Sequence, residues 1–213
     1  YRSELPRQTD LINSVLALLG GCMPAEAVVL MVLDAEDAYW QIPLDPRERR
    51  FYCAQLRAPN GETKYLAYTR TAQGSRGAPL AWAVIFGLIC RCVCSVLRDP
   101  IIPNAHKMEV YVDDPILALR GTPEVVALHA SLAMLSWTVL GVPLAFRKGQ
   151  MGPSVDWIGA TFVVEPHGVR ATITAARLDE LRTLTNNILE NNVVSVSELQ
   201  TYTGKAQSMA SLL

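Results

Sequence analysis

The chain has 213 residues, half of them hydrophobic, which is enough to bury one sizeable core or one large domain with a small appendage. A formal net charge of −1 and a pI near 6.4 argue against a uniformly basic nucleic-acid binder and leave room only for phosphate contacts that are local. Five cysteines (Cys22, Cys53, Cys90, Cys92 and Cys94) include no C-x-x-C pair. Cys90, Cys92 and Cys94 lie on a predicted helix, where residues two apart diverge by about 200°, so buried free thiols of a reducing compartment are expected rather than a metal site. No secretory signal is visible. The apolar stretch 79–97, interrupted by Arg91, reads as a buried core helix rather than a membrane span. An intracellular protein, cytoplasmic or nuclear and without a membrane partner, is the expectation. The chain opens at Tyr1 and stops at Leu213 within structured-looking sequence, so a piece of a longer protein is expected.

In chain order, residues 9–19 carry a helical apolar face, with Thr9 or Asp10 as N-cap and Gly20-Gly21 as the stop. Residues 28–33 form an aliphatic run ending at Asp34, the pattern of a strand buried on both faces. Strands at 50–56 and 64–68 flank Asn60-Gly61, a hairpin turn. Pro79 opens the long helix. Short strands at 108–112 and 116–119 enclose Asp113, Asp114 and Pro115 at a hairpin tip. Residues 123–140 read as a helix closed by Gly141 and Pro143. Residues 154–162 and 163–173 suggest a second hairpin, turning at Pro166-His167-Gly168. The remainder is helical, and Ser195 with Glu198 makes a capping box. The order strand, helix, hairpin, helix predicts an α+β fold of the ferredoxin-like kind.

That topology brings the end of the first strand beside the tip of the first central hairpin, so Asp34 should approach Asp113 and Asp114. Clustered carboxylates repel unless a cation lies between them. Mg2+ suits such a cluster because it takes hard oxygen ligands and substrate phosphates. Two ions about 3.5–4 Å apart can drive an in-line phosphoryl displacement. Taken alone, Asp113-Asp114 reads as an ordinary turn, and it is the pairing with Asp34 at a strand end that favours the metal site.

Several segments resemble reverse transcriptases. Tyr111-Val112-Asp113-Asp114 matches that family's hallmark tetrapeptide, and residues 33–44, from Leu33-Asp34 to Pro43-Leu44, are similar to its first catalytic motif. Residues 68–79, with Gln73-Gly74 and Ala78-Pro79, residues 140–144 with Lys148, and Trp157-Ile158-Gly159 resemble the later motifs in family order. Val196 to Gln200 and Gly204-Lys205 look like the thumb region of retrotransposon enzymes of the Ty-gypsy or DIRS-like kind.

The resemblance implies a ferredoxin-like polymerase palm at 23–44 and 72–165. It implies partial fingers at 1–22, a fingers hairpin at 45–71, and the start of a thumb at 166–213. The implied activity is that of an RNA-directed DNA polymerase, within a retroelement polyprotein. Its partners would be an RNA (or DNA) template, a DNA primer and deoxynucleoside triphosphates, and its cofactor two Mg2+ ions, with Mn2+ as the alternative. Asp34, Asp113 and Asp114 would be catalytic metal ligands, with the Ala35 carbonyl completing one shell. Tyr39 would exclude a 2′-hydroxyl, which disfavours an RNA-templated RNA polymerase. Gln73 and Gly74 would lie over the nucleotide, Arg76 and Lys148 near its phosphates, and Trp157, Ile158 and Gly159 would grip the primer end. Arg70 is a further nearby cation, and Asp37 is expected to order the following helix rather than bind metal. His106, His129 and His167 are expected to be structural or exposed. Pro115 departs from the family's aliphatic residue. An edge strand would tolerate it, whereas elsewhere it removes a ladder bond. A decayed, inactive palm and a non-catalytic nucleic-acid-binding module are the alternatives.

Overall fold

The computed structural model describes residues 5–98, 105–191 and 193–210, so the two chain ends at Tyr1 and Leu213 lie outside the described residues. The architecture is α+β. Its centre is a four-stranded antiparallel sheet in the order β4-β5-β1-β6, formed by β1 (Ala27–Val32), β4 (His106–Tyr111), β5 (Asp114–Gly121) and β6 (Gln150–Gly152). Helix α2 (Ala78–Val96) connects β1 to β4, and α3 (Pro123–Val139) connects β5 to β6. The sequence order is therefore β-α-β-β-α-β.

Strand alternation divides two cores. Met31, Leu33, Leu117 and Leu119 point to one face, where Trp82, Phe86 and Val93 of α2 and Ala130 and Trp137 of α3 cover them. Leu30, Val32, Ile116 and Ala118 point to the other. There they meet α1 (Gln8–Leu19), through Leu11, Val15 and Leu18, and the meander β7 (Ser154–Trp157), β8 (Ala160–Glu165) and β9 (Gly168–Ile173). A strand with an apolar layer on each side needs an unbroken aliphatic run, which is what residues 28–33 supply.

The structure departs from expectation at several places. Residues 154–173 form three strands rather than two, because Ile158-Gly159 makes its own tight turn with φ of 41° and 80°. The turn at Pro166-His167 falls where it was expected. Helix α1 starts at Gln8, and Asp10 serves its first turn by accepting the Arg7 N–H at 2.7 Å instead of capping it. Helix α2 buries one face only: Leu80, Val84, Ile85, Leu88 and Val96 are exposed, and by length and composition alone the helix is long and apolar enough to cross a membrane. The five cysteines are all free, but only Cys90 is buried, while Cys53 and Cys92 are exposed. Of the histidines, His129 is buried, His106 half-buried and His167 exposed.

The outlying hairpin β2 (Cys53–Arg57) and β3 (Thr63–Ala67) pairs only with itself and is exposed along almost its whole length. At the C-terminal side, α4 (Ala175–Glu190) packs on α5 (Val196–Ala210). The α5 start carries the expected capping box: Ser195 N–H donates to Glu198 Oε2 at 2.9 Å and Glu198 N–H to Ser195 Oγ at 3.2 Å.

Candidate functional site

The ladder between β1 and β5 pairs Val32 with Ile116, and two further bonds carry the same register onward. Leu33 N–H donates to Pro115 O at 3.4 Å and Ala35 N–H to Asp113 O at 3.1 Å. Asp34 therefore lies two residues beyond the end of β1, directly across from Asp114. Residues distant in sequence meet at one edge of the sheet, as the topology requires.

Pro115 sits on β5, which is central rather than an edge. Leu33 and Pro115 form a hydrogen-bonded antiparallel pair, in which each N–H should serve the other's carbonyl. Proline has no N–H, so the reciprocal bond to Leu33 O is missing. The formal ladder accordingly stops at Val32.

The turn joining β4 to β5 is Val112-Asp113, closed by the Tyr111–Asp114 pair, so Asp114 and Pro115 belong to the strand and only Asp113 to the tip. Val112 has φ of 58°, an outlying conformation for a β-branched residue. Two buried indoles hold its flanks. Trp82 Nε1 donates to Val112 O at 3.1 Å, and Trp157 Nε1 donates to Asp114 O at 3.0 Å. Nothing in the sequence singles out Trp82. Trp157 is 2% exposed, so the expected primer-end residue is also a strut beneath the acidic hairpin.

The three carboxylates feel one another. Burial, then the charges of Asp113 and Asp34, pushes Asp114 up to about 6. Burial and Asp34 raise Asp113 as well. Lys148 opposes both. Its ammonium donates to Asp34 Oδ2 at 3.0 Å, with the lysine side chain 74% exposed and the Asp34 side chain 23%. That hydrogen bond, followed by the charges of Asp34 and Asp114, holds the Lys148 pKa above its usual value. Lys148 reaches this position because its loop is pinned to the first motif: Ala145 N–H donates to Asp34 O and Glu36 N–H to Pro143 O, both at 2.9 Å.

The donor chemistry suits Mg2+: three hard, mutually repelling carboxylates gain by sharing a cation. The atoms are not yet converged, since among the described residues no group of three or more His, Cys, Asp or Glu side chains is arranged to hold a metal ion. The Asp34 carboxylate turns to Lys148 instead.

Beside the acidic edge opens a cavity of about 340 Å3, lined by Asp34, Ala35, Tyr39, Gln73, Asp113 and Lys148 among others. Tyr39 stands on a 3-10 turn (Ala38–Gln41), and burial together with the Asp113 charge raises its phenol pKa. Asp37 precedes that turn with φ of 53°; it orders the turn through its carbonyl, which accepts the Trp40 N–H at 2.8 Å, while its side chain makes no capping bond. Gly74 takes φ of 87° with open space where a Cβ would stand, so a close approach to its backbone is sterically free. Gly74 and Arg76 are exposed on the loop that follows Gln73 and do not line the cavity. Ile158-Gly159 faces α4 instead, where Arg177 donates to Ile158 O at 3.4 Å and fills the space beside Gly159.

No protein-family model matches this chain, and no curated protein is significantly similar to it.

Proposed function

We propose that the chain is the catalytic palm of a reverse transcriptase, extending a DNA primer on an RNA template from deoxynucleoside triphosphates. One observation carries the reading: Asp34 stands across from Asp114 in a shared register, with Asp113 bonded to Ala35 N–H at 3.1 Å, at the mouth of the cavity that holds Tyr39 and Gln73. The β-α-β-β-α-β order with strand order β4-β5-β1-β6 is the ferredoxin-like arrangement, which supports reading 23–44 and 72–165 as palm. The exposed β2–β3 ribbon within 45–71 fits a fingers hairpin, and α4 and α5 fit the start of a thumb.

In this reading Asp34, Asp113 and Asp114 hold two Mg2+ ions. When bound, such ions supply Lewis-acid activation of the attacking hydroxyl and charge neutralisation of the leaving pyrophosphate. The protein's own groups do the rest. Tyr39 walls the side of the cavity where a 2′-hydroxyl would stand. Gln73 binds sugar or base, and the Gly74 backbone lets the nucleotide come close. Lys148, once released from Asp34, is a proton-bearing cation within reach of the leaving phosphates. Arg76 meets the phosphates from the loop, and Trp157, bonded to the Asp114 carbonyl, steadies the primer end together with the Ile158-Gly159 turn that follows it.

A second reading, an inactive palm, draws on the ladder bond lost at Pro115 and on the Lys148–Asp34 pair. Primer extension separates the two. With an RNA template, a DNA primer, dNTPs and Mg2+, the parent should add nucleotides, and Asp113→Asn should lower the rate at least about 10²-fold. Absence of extension in the parent, with nucleic-acid binding retained, would favour the inactive palm.

A further inference from the structure

Tyr39 is fixed in the cavity from behind by residues 68–71, which lie just ahead of Gln73-Gly74 in the same stretch of chain. Thr71 is one of two buried polar residues among those described, 7% exposed. Its hydroxyl donates to the carbonyl of Tyr39, and its own N–H donates to Ile42 O at 2.9 Å. Next to it, Arg70 Nη1 donates to Gln41 O at 3.0 Å. Leu44 N–H closes the zipper on Thr69 O at 3.0 Å, and the Trp40 and Tyr68 rings meet at 5.6 Å. Every carbonyl from Tyr39 to Ile42 thus has a donor from residues 70–71, with the Trp40 carbonyl the most distant from its donor, at 3.5 Å from Arg70. Two residues further along, the same strand of chain becomes the cavity wall at Gln73.

A 3-10 turn has poorer hydrogen-bond geometry than an α-helix and holds its shape only with outside help. Here that help comes from Thr71, whose side chain is enclosed and whose hydroxyl donates to the Tyr39 carbonyl. We infer that Thr71, through its hydroxyl, sets how far the Tyr39 ring projects into the cavity and so sets the selectivity between deoxyribose and ribose. This rests on Tyr39 acting as the sugar-excluding wall. Thr71 is a positioning residue: it touches the backbone that carries the wall and not the substrate. Removing the hydroxyl while keeping the shape would let the turn relax outward and make room for a 2′-oxygen.

The test is equilibrium binding of dATP and ATP to the full chain on an RNA–DNA template–primer, with Ca2+ as the divalent ion so that nothing turns over. The parent is expected to prefer dATP by about tenfold or more, a pocket-shape effect of ordinary size. Tyr39→Ala should abolish the preference. Thr71→Val, nearly isosteric, should cut it to within about threefold of unity, and Thr71→Ser should restore it to the parental value. Thermal unfolding of the two Thr71 variants confirms that both are folded, and Arg70→Gln provides a milder release of the same turn if Thr71→Val does not fold. A parent without preference, or a preference that survives Tyr39→Ala, overturns the sugar-wall reading and this inference with it. A preference lost in Tyr39→Ala but unchanged in Thr71→Val, or lost equally in Thr71→Ser, overturns the role of the Thr71 hydroxyl alone.

Discussion

Replacing Asp114 with asparagine should make the metal-free protein more stable at neutral pH and leave it unchanged in acid. Burial and the charges of Asp113 and Asp34 lift the Asp114 pKa to about 6, roughly two units above an unfolded aspartate near 3.9. Below pH ~4 the carboxyl is protonated in both states and contributes no difference. Between pH ~4 and ~6 the unfolded chain ionises while the native carboxyl stays neutral, so native stability falls as pH rises, and above ~6 the loss is complete. Two units correspond to about 3 kcal/mol, and screening by solvent at this partly exposed carboxylate reduces this to about 1.5 kcal/mol. For a chain of this size that is a shift of about 4 °C in Tm. Thermal unfolding followed by circular dichroism, at pH 4 and pH 7.5 without divalent ions, should show parent and Asp114→Asn together in acid and the variant about 4 °C higher at pH 7.5. Mg2+ should close the gap at pH 7.5 by stabilising the parent. An offset that is equal at both pH values, or larger in acid, would refute the crowding of carboxylates on which the site depends.

Three further outcomes follow from particular contacts. Pro115→Ile supplies the N–H missing opposite Leu33; hydrogen exchange should find the new amide at position 115 protected, with a ladder bond worth about 1 kcal/mol partly offset by the freer unfolded chain. Glu26 and Arg120 form an ion pair at 3.5 Å, with side chains only 11% and 13% exposed. Glu26→Gln leaves the guanidinium unpaired there and should reduce stability to urea by about 3 kcal/mol while nucleotide binding persists. Lys148→Met removes the ammonium that occupies Asp34, so Mn2+ affinity should rise severalfold with little change in Tm.

The central sheet was legible because its signals are local and redundant. The run of aliphatics at 28–33, the reversal between the apolar runs on either side of Asp113-Asp114 and the Pro79 and Pro123 helix starts each fix an element, and the order of elements fixes which ends meet. The Asp34–Asp114 approach follows from that order. The break at 158–159 that makes three strands of two was hidden because isoleucine is a poor marker for a positive-φ turn, and only Gly159 hinted at one. The position of Pro115 in a central strand could not be read from neighbours in sequence, since whether a strand is an edge is decided by β1 from far away. The struts of the site were equally silent: Trp82 and Thr71 look like an ordinary core aromatic and an ordinary loop hydroxyl. Their value lies in which carbonyl each one reaches, a property of tertiary geometry. The α2 helix read as buried because composition reports apolarity, not how many sides are covered.

Calorimetric titration of Mn2+ into the parent, Asp34→Asn and Asp113→Asn probes the acidic edge itself, without requiring turnover. Saturable binding by the parent that weakens at least about tenfold in each variant is the predicted result. Equal heats from all three proteins, or none from the parent, would mean that these aspartates meet in space without sharing a cation.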